Sequence, residues 1–316
     1  MRRIGFAGNP SADGGAAGAG LDHIQTLLGA RGATVVDLSG DSWGDTVARV
    51  TAALGVHEGV LSHEHSFDAL VVAGGDGMVH LGLQACVPSG VPLGIVATGS
   101  GNDFATRMGL AVADPERAVA EIFDGWGSPR KVDVGHITTA DGHERWFAGV
   151  LSAGIDAAIA ERARHMTRPR GTAKYIVAVV RELWGYRPYG MTITVRDERG
   201  TEERMSGTFT LAAVSNSGLL GGGIPLCPPS RTDDGRLELV RATPLTRRGI
   251  VKIFPRLLRG THVDDPRVTI GAVSEVTLEA SATGFAPPAP SADGEPVGML
   301  PLSVTCVPGA LALLAP

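Results

Sequence analysis

Along the first 125 residues, short apolar runs rich in β-branched side chains alternate with stretches whose apolar positions recur every three or four residues. Ile4–Ala7 predicts a strand that ends at Gly8-Asn9-Pro10, and Leu21, Ile24, Leu27 and Leu28 predict a helix over 21–30. A strand at Ala33–Leu38 and a helix over 43–54 follow. Phe67–Ala73 reads as a buried strand that runs straight into Gly74-Gly75-Asp76-Gly77, with a helix over Met78–Cys86. Val91–Val96 is a further strand and leads into Thr98–Asp103. Asp114 as N-cap and Pro115 at the first helical position open a helix to Phe123. Strands alternating with helices imply a mainly parallel sheet.

The pattern changes near 125–129. Residues 131–140, 191–197, 206–214, 236–241, 268–280 and 302–307 read as strands, interrupted by helices at about 155–166, 172–185 and 244–259. The division is an α/β domain over 1–128 followed by a β-rich domain over 129–316, with a proline-bearing loop at Thr283–Ser291.

Composition narrows the class. Apolar residues make up 43% of the 316, enough for a core. Forty-four glycines, without any G-x-y period, exclude collagen and point to tight turns and close backbone approaches. Cys86, Cys227 and Cys306 are odd in number and far apart, so no disulfide framework or cysteine zinc site is expected, and a reducing cytoplasm fits. The apolar residues after Arg2-Arg3 are broken too soon for a signal h-region, and no apolar run approaches membrane-spanning length.

Charge is unevenly placed. Residues 1–128 carry 6 basic and 14 acidic side chains, and residues 129–316 carry 22 and 19, so a net of −8 faces a net of +3. The total of −5 argues against nucleic acid as a partner. Residues 162–187 hold seven basic side chains against Glu182 alone, and residues 247–259 hold five against none. In the latter, Ile250, Val251, Phe254, Leu257 and Leu258 share a face, a basic amphipathic pattern that suits either a membrane surface or packing on the sheet. Tyr175, Val179 and Leu183 lie on one helical face and read as packing, with Trp184 among arginines nearby. His57-Glu58 and His63-Glu64-His65 read as a solvated loop, because Leu61 breaks the H-E-x-x-H spacing.

Four motifs carry candidate chemistry. Glycines at the carboxyl end of a parallel strand let backbone N–H groups approach phosphate oxygens, and a helix start adds positive dipole. Gly74–Gly77 has that setting, and Thr98-Gly99-Ser100-Gly101-Asn102-Asp103 repeats it after the next strand. The dinucleotide fingerprint fails at Phe104, and no lysine completes a P-loop. Asp293-Gly294-Glu295 is a hairpin-turn sequence, and Thr232-Asp233-Asp234-Gly235 is a turn that could take a hard cation.

Taken in order, these residues resemble the diacylglycerol kinase catalytic family, the soluble bacterial lipid kinases related to sphingosine and ceramide kinases. The resemblance runs through Asn9-Pro10-Ser11, Gly74–Gly77, Pro92–Ile95, Gly99–Ala105, Lys131-Val132-Asp133-Val134-Gly135, Ala153–Asp156, Lys174-Tyr175, Gly221–Gly223, Asp233–Leu237 and Asp293–Glu295. It implies an open α/β nucleotide domain followed by a β-sandwich, with the active site in the cleft between them. It implies ATP phosphates held by Gly74, Gly75, Asp76, Gly77, Thr98, Gly99, Ser100, Gly101 and Asn102, with Asn9 nearby. Asp293 would be the general base, with Glu295 close to it. Asp76, Asp103 and Asp133 would recruit Mg2+ through water, and Asp233 would belong to a structural cation loop. The implied partners are a lipid substrate at the membrane surface, bound peripherally from the cytoplasm, and a second copy of the chain as a homodimer.

The sequence departs from the family pattern at named positions. Met78 replaces the usual threonine after the first loop, and His80-Leu81 a commoner Asn-Glu pair. Ala97 and Ser100 replace proline and threonine, Thr106 stands where arginine is typical, and Asp13 sits in the first loop. An NAD kinase, which shares a Gly-Gly-Asp-Gly loop, and a catalytically weak nucleotide or lipid sensor are the alternatives.

Overall fold

The computed structural model describes residues 2–9, 17–57, 60–61, 65–166, 168, 172–197 and 199–316. Pro10, Ser11, Asp13, Glu58, His63 and Glu64 therefore lie outside the described residues. The elements run β1 (Arg2–Gly8), α1 (Ala17–Ala30), β2 (Ala33–Asp37), α2 (Trp43–Leu54), β3 (Val56–His57), β4 (Val60–Leu61), β5 (Ala69–Gly74), α3 (Asp76–Ser89) and β6 (Leu93–Ala97). Then come α4 (Asp103–Met108), α5 (Pro115–Asp124), β7 (Arg130–Thr139), β8 (Glu144–Phe147), β9 (Val150–Gly154), α6 (Ile155–His165), α7 (Thr172–Gly185), β10 (Tyr189–Arg196) and β11 (Glu202–Phe209). The remainder is β12 (Leu211–Ser215), β13 (Leu219–Leu220), β14 (Ile224–Pro225), β15 (Leu237–Ala242), α8 (Arg247–Leu257), β16 (Val268–Val273), β17 (Glu275–Ala280), β18 (Ser291–Ala292), β19 (Glu295–Pro296) and β20 (Leu302–Leu313).

Two compact units result, and the chain passes between them four times. The first comprises Met1–Val134, Glu144–Ala148 and Val307–Pro316, and the second Gly135–His143 and Gly149–Cys306.

In the first unit, β2, β1, β5, β6 and the end of β20 lie side by side, all parallel. Every residue of β5 and β6 is buried, as a strand covered on both faces requires. Their alternating side chains divide between two cores. Leu70, Val72, Leu93 and Ile95 pack with Val50 and Leu54 of α2 and Leu83 of α3. Ala69, Val71, Ala73 and Val96 pack with Ile24 and Leu28 of α1 and Val119 and Ile122 of α5. Each fully buried Leu, Val or Ile contributes roughly 1.5–3 kcal/mol. Asp114 caps α5 as the sequence suggests, accepting the Arg117 N–H at 3.0 Å, with Pro115 at the first position. β3 and β4 pair antiparallel, so His57 stands on a strand where a loop was expected.

The second unit is antiparallel. One sheet runs β11, β10, β17 and the start of β20, and the other β16, β15, β12, β9, β18 and β19. Two stretches that read as single strands, 206–214 and 268–280, are each two strands in different sheets. The breaks fall at Thr210 and Ser274. The buried Thr210 hydroxyl is held by Tyr186 Oη, the Leu245 N–H and the Thr243 carbonyl, so it closes the corner that takes the chain from β11 to β12. Ser274 does the same between β16 and β17 by donating to the Arg196 carbonyl at 2.9 Å. Among the described residues no helix is long and apolar enough to cross a membrane.

Candidate active site

Parallel registry sets the glycine turns of the first unit. Gly8 lies opposite Ala73 and Gly74 opposite Ala97, so Asn9, Gly74 and Thr98 leave the sheet at one edge. Open parallel sheets present ligands at that carboxyl edge. Gly74 has φ +149°, and a Cβ there would stand 2.6 Å from Met78 Cγ. Gly75 opens α3 without a side-chain cap bond, and the N–H groups at such a helix start suit anionic oxygens.

The second loop lies directly against the first. Thr98 N–H donates to the Gly74 carbonyl at 3.1 Å, and a Cβ on Gly75 would come within 3.2 Å of Gly99 Cα. Buried Asn102 takes the left-handed conformation at φ 59° and ψ 34° and clamps the loop. Its Oδ1 accepts the Gly99 N–H at 3.1 Å and its Nδ2 donates to the Gly99 carbonyl at 2.6 Å. Asp76 joins the two loops: its Oδ1 accepts the Phe104 N–H at 3.3 Å at the start of α4. A Cβ on Gly101 would lie 2.5 Å from Asp76 Oδ2. Two glycine turns thus meet backbone to backbone at an uncapped helix start, a cradle that any side chain would fill and that suits phosphate oxygens. Ser100 and Gly101 are exposed there.

The second unit carries a candidate group of its own, at the Asp293-Gly294 turn. β18 and β19 form a hairpin whose turn is Asp293-Gly294, with φ 51° and 86°. Two positive φ values mark the turn type that suits hairpin twist. Asp293 Oδ1 accepts the N–H groups of Gly149 and Val150 at 2.9 and 3.1 Å, and Asp293 N–H donates to the Val150 carbonyl at 3.1 Å. The carboxylate is therefore oriented from the backbone of β9. Glu295 stands on the return strand opposite Ala292, half-buried.

Comparison with known proteins matches both units. Residues 4–137 fit the model of the diacylglycerol kinase catalytic domain, and residues 149–315 that of the YegS C-terminal NAD kinase beta sandwich-like domain. A diacylglycerol kinase of Mycobacterium tuberculosis (strain H37Rv) is 33% identical over 98% of this chain and 93% of its own length. The chain belongs to the diacylglycerol kinase family. A "Probable lipid kinase YegS-like" of Stenotrophomonas maltophilia is 28% identical over 80% of each chain. A diacylglycerol kinase crystal structure from Bacillus anthracis str. Sterne matches with TM-score 0.66, covering 100% of this chain and 97% of that one. At 16% identity that likeness concerns the fold.

Within this family member, one departure has a local explanation. Met78 is 2% exposed and joins the core under the turn, so this position faces inward and not toward the phosphate cradle. Thr106 and Arg107 are both exposed on α4.

The acidic residues are arranged singly. Asp133 is buried on β7 and accepts the Gly309 N–H at 2.7 Å. Asp103 begins α4. Asp233 carries the Arg231 guanidinium at 3.2 Å, and Asp234 accepts the Arg236 N–H. Among the described residues no three His, Cys, Asp or Glu side chains converge to hold an ion. A hard cation that keeps water and phosphate as most of its ligands fits single carboxylates such as Asp76, whereas an all-protein cage does not.

Two features escaped sequence reasoning. The amides that orient Asp293 are backbone groups of Gly149 and Val150, which leave no trace in residue type. Asp156 was visible only as a motif letter. It lies in the first turn of α6, and among the described residues no hydrogen bond of good geometry reaches either carboxylate oxygen or the neighbouring Ser152 Oγ. Burial pushes its acid up to about 6, with the proximity of Ser152 opposing.

Proposed function

We propose that the chain is an ATP-dependent lipid kinase that transfers the γ-phosphate to the primary hydroxyl of diacylglycerol, giving phosphatidic acid and ADP. The observation that carries the reading is the pair of glycine turns packed against each other at the uncapped start of α3. The family membership and the held carboxylate of Asp293 support it.

In this reading the turn amides and Asn102 orient the nucleotide phosphates. The acceptor oxygen attacks the γ-phosphorus, its proton passes to the Asp293 carboxylate, and the bond to the β-phosphate oxygen breaks. Phosphoryl transfer needs little beyond positioning and charge stabilisation. Asp76, with Asp103 and Asp133 adding negative charge, would hold Mg2+ through water, and the ion would supply neutralisation of phosphate charge. Asp293 needs no further activation by a covalent partner, since a positioned carboxylate within hydrogen-bond reach suffices for a general base.

The test is transfer of label from γ-labelled ATP to a panel of lipid alcohols in Mg2+, with NAD as a further acceptor. Diacylglycerol is expected to be labelled. Folded protein that binds ATP and labels no lipid would end the reading, and labelled NAD would replace it.

A further inference from the structure

Two helices of the second unit carry apolar side chains that the described chain leaves uncovered. On α8, Val251, Phe254 and Leu258 recur at i, i+3 and i+7, so they share a face, and they are 59%, 38% and 50% exposed. On α7, Val180 and Trp184 stand one turn apart, 60% and 81% exposed. α7 and α8 border a groove of about 260 Å3 that, among the described residues, is lined by Val179, Leu183, Ile250, Val251, Phe254 and Pro255. Isolated exposed apolar residues are ordinary, but Val251 and Phe254 are exposed and line this apolar groove, with Val180, Trp184 and Leu258 exposed on or next to the same two helices, and together they mark an interaction surface. Leu257 shows that α8 is anchored independently: it packs inward on the cluster of Val150, Ala213, Leu226 and Val240.

Charge decides what the surface meets. Arg248 and Lys252 stand one turn apart on α8, beside the apolar row, and Arg259 follows in the turn just after the helix. All three are exposed, and none enters an ion pair among the described residues. Arg256 is different, since it is spent on Asp265 at 3.0 Å and the Thr261 carbonyl at 2.9 Å. No acid lies within 247–259. A two-fold dimer through this patch would bring the same cations against each other. An anionic phospholipid surface instead offers phosphates to these cations and an apolar boundary to the ridge.

We propose that the α7–α8 surface docks the protein on an anionic bilayer, with Trp184, Phe254 and Leu258 entering the boundary between headgroups and acyl chains. The proposal rests on the lipid-kinase reading for its purpose, and its test is independent of turnover. The full chain, without ATP, is sedimented with vesicles of phosphatidylcholine alone or with added phosphatidylglycerol. Binding should be at least about tenfold tighter on the anionic vesicles and should weaken with salt. Trp184→Ser with Phe254→Ser should lower vesicle affinity at least about tenfold without shifting the melting temperature, because both side chains are exposed. Arg248→Glu, Lys252→Glu and Arg259→Glu together should abolish the anionic preference. Brominated-chain lipids should quench fluorescence in the wild type and not in Trp184→Phe.

Failure of the wild type to bind anionic vesicles, or unchanged binding of the serine double variant, would overturn the proposal. So would a wild-type dimer that the double variant turns into a monomer. Vesicle binding by a protein that phosphorylates no acceptor, including a short-chain soluble diacylglycerol, would uphold docking while removing the kinase reading.

Discussion

At the Gly74–Gly77 turn the useful feature is missing side chains, whereas at Asp293 it is a side chain held on backbone that glycine would occupy more easily. In the first unit, a Cβ on Gly99 would lie 2.2 Å from Gly75 Cα and one on Gly75 3.2 Å from Gly99 Cα, so Gly99 has no room for a side chain and Gly75 little. In the second, Asp293 takes φ 51°, where an L-residue is disfavoured by roughly 1–2 kcal/mol. Its own hydrogen bonds to Gly149 and Val150 offset that strain. One region is rigid because two backbones touch, the other because a carboxylate is tied to two amides. The difference teaches where each tolerates change: the first in no side chain at all, the second in a side chain of equal shape.

Asp293→Asn tests the second statement with the largest expected effect. Asparagine keeps an Oδ1 acceptor and tolerates left-handed backbone, so the hairpin should survive. Turnover should fall about 10²- to 10⁴-fold, the range for loss of a general base, while calorimetric ATP binding stays within about twofold. Retained turnover would remove Asp293 from the base role.

Gly99→Ala tests the first. The methyl group would drive into the Gly75 backbone, so ATP affinity should fall by at least about tenfold and stability by roughly 1–3 kcal/mol, as for overpacking elsewhere. Denaturant melts and calorimetry read both, and wild-type values for both would mean that the two loops are not in contact.

Asp156→Asn asks whether a buried acid near neither cradle limits stability. Its folded acid lies near 6, above the ordinary 3.8, so between those values the folded state holds more protons than the unfolded one. Stability therefore falls as pH rises through the window from about 4 to 6. The ionised form should cost roughly 2–3 kcal/mol at pH 7–8. Asparagine should remove that loss, and identical pH–stability curves for both proteins would contradict it. The smallest effect is expected at Asp114→Ala, where one N-cap bond on α5 is lost, for about 1 kcal/mol. Asp114 is part of neither glycine turn nor the Asp293 hairpin, so it serves as a stability control that should leave ATP affinity unchanged.

Much of the first unit was legible in the chain because its signals are local. A run such as Leu70-Val71-Val72-Ala73 followed at once by glycines specifies a buried strand, a turn and a helix start without distant help. The Asp114-Pro115 cap and the Asp293-Gly294 turn belong to the same class. Thr210 and Ser274 were illegible as corners, because alternation continues across them and only the pairing partner changes. The acidic trio could be found by motif, but not the fact that Asp133 is engaged by the Gly309 amide.

The sequence alone therefore determined the alternation of elements, the glycine turns and the family resemblance, since each depends on residues near one another along the chain. Tertiary structure decided which backbones touch, which amides hold Asp293, why Asp156 is a costly acid, and which faces of α7 and α8 stay uncovered. Those properties arise from groups the fold brings together, 143 and 144 residues apart for the amides on Asp293, and from burial, which no single residue type encodes.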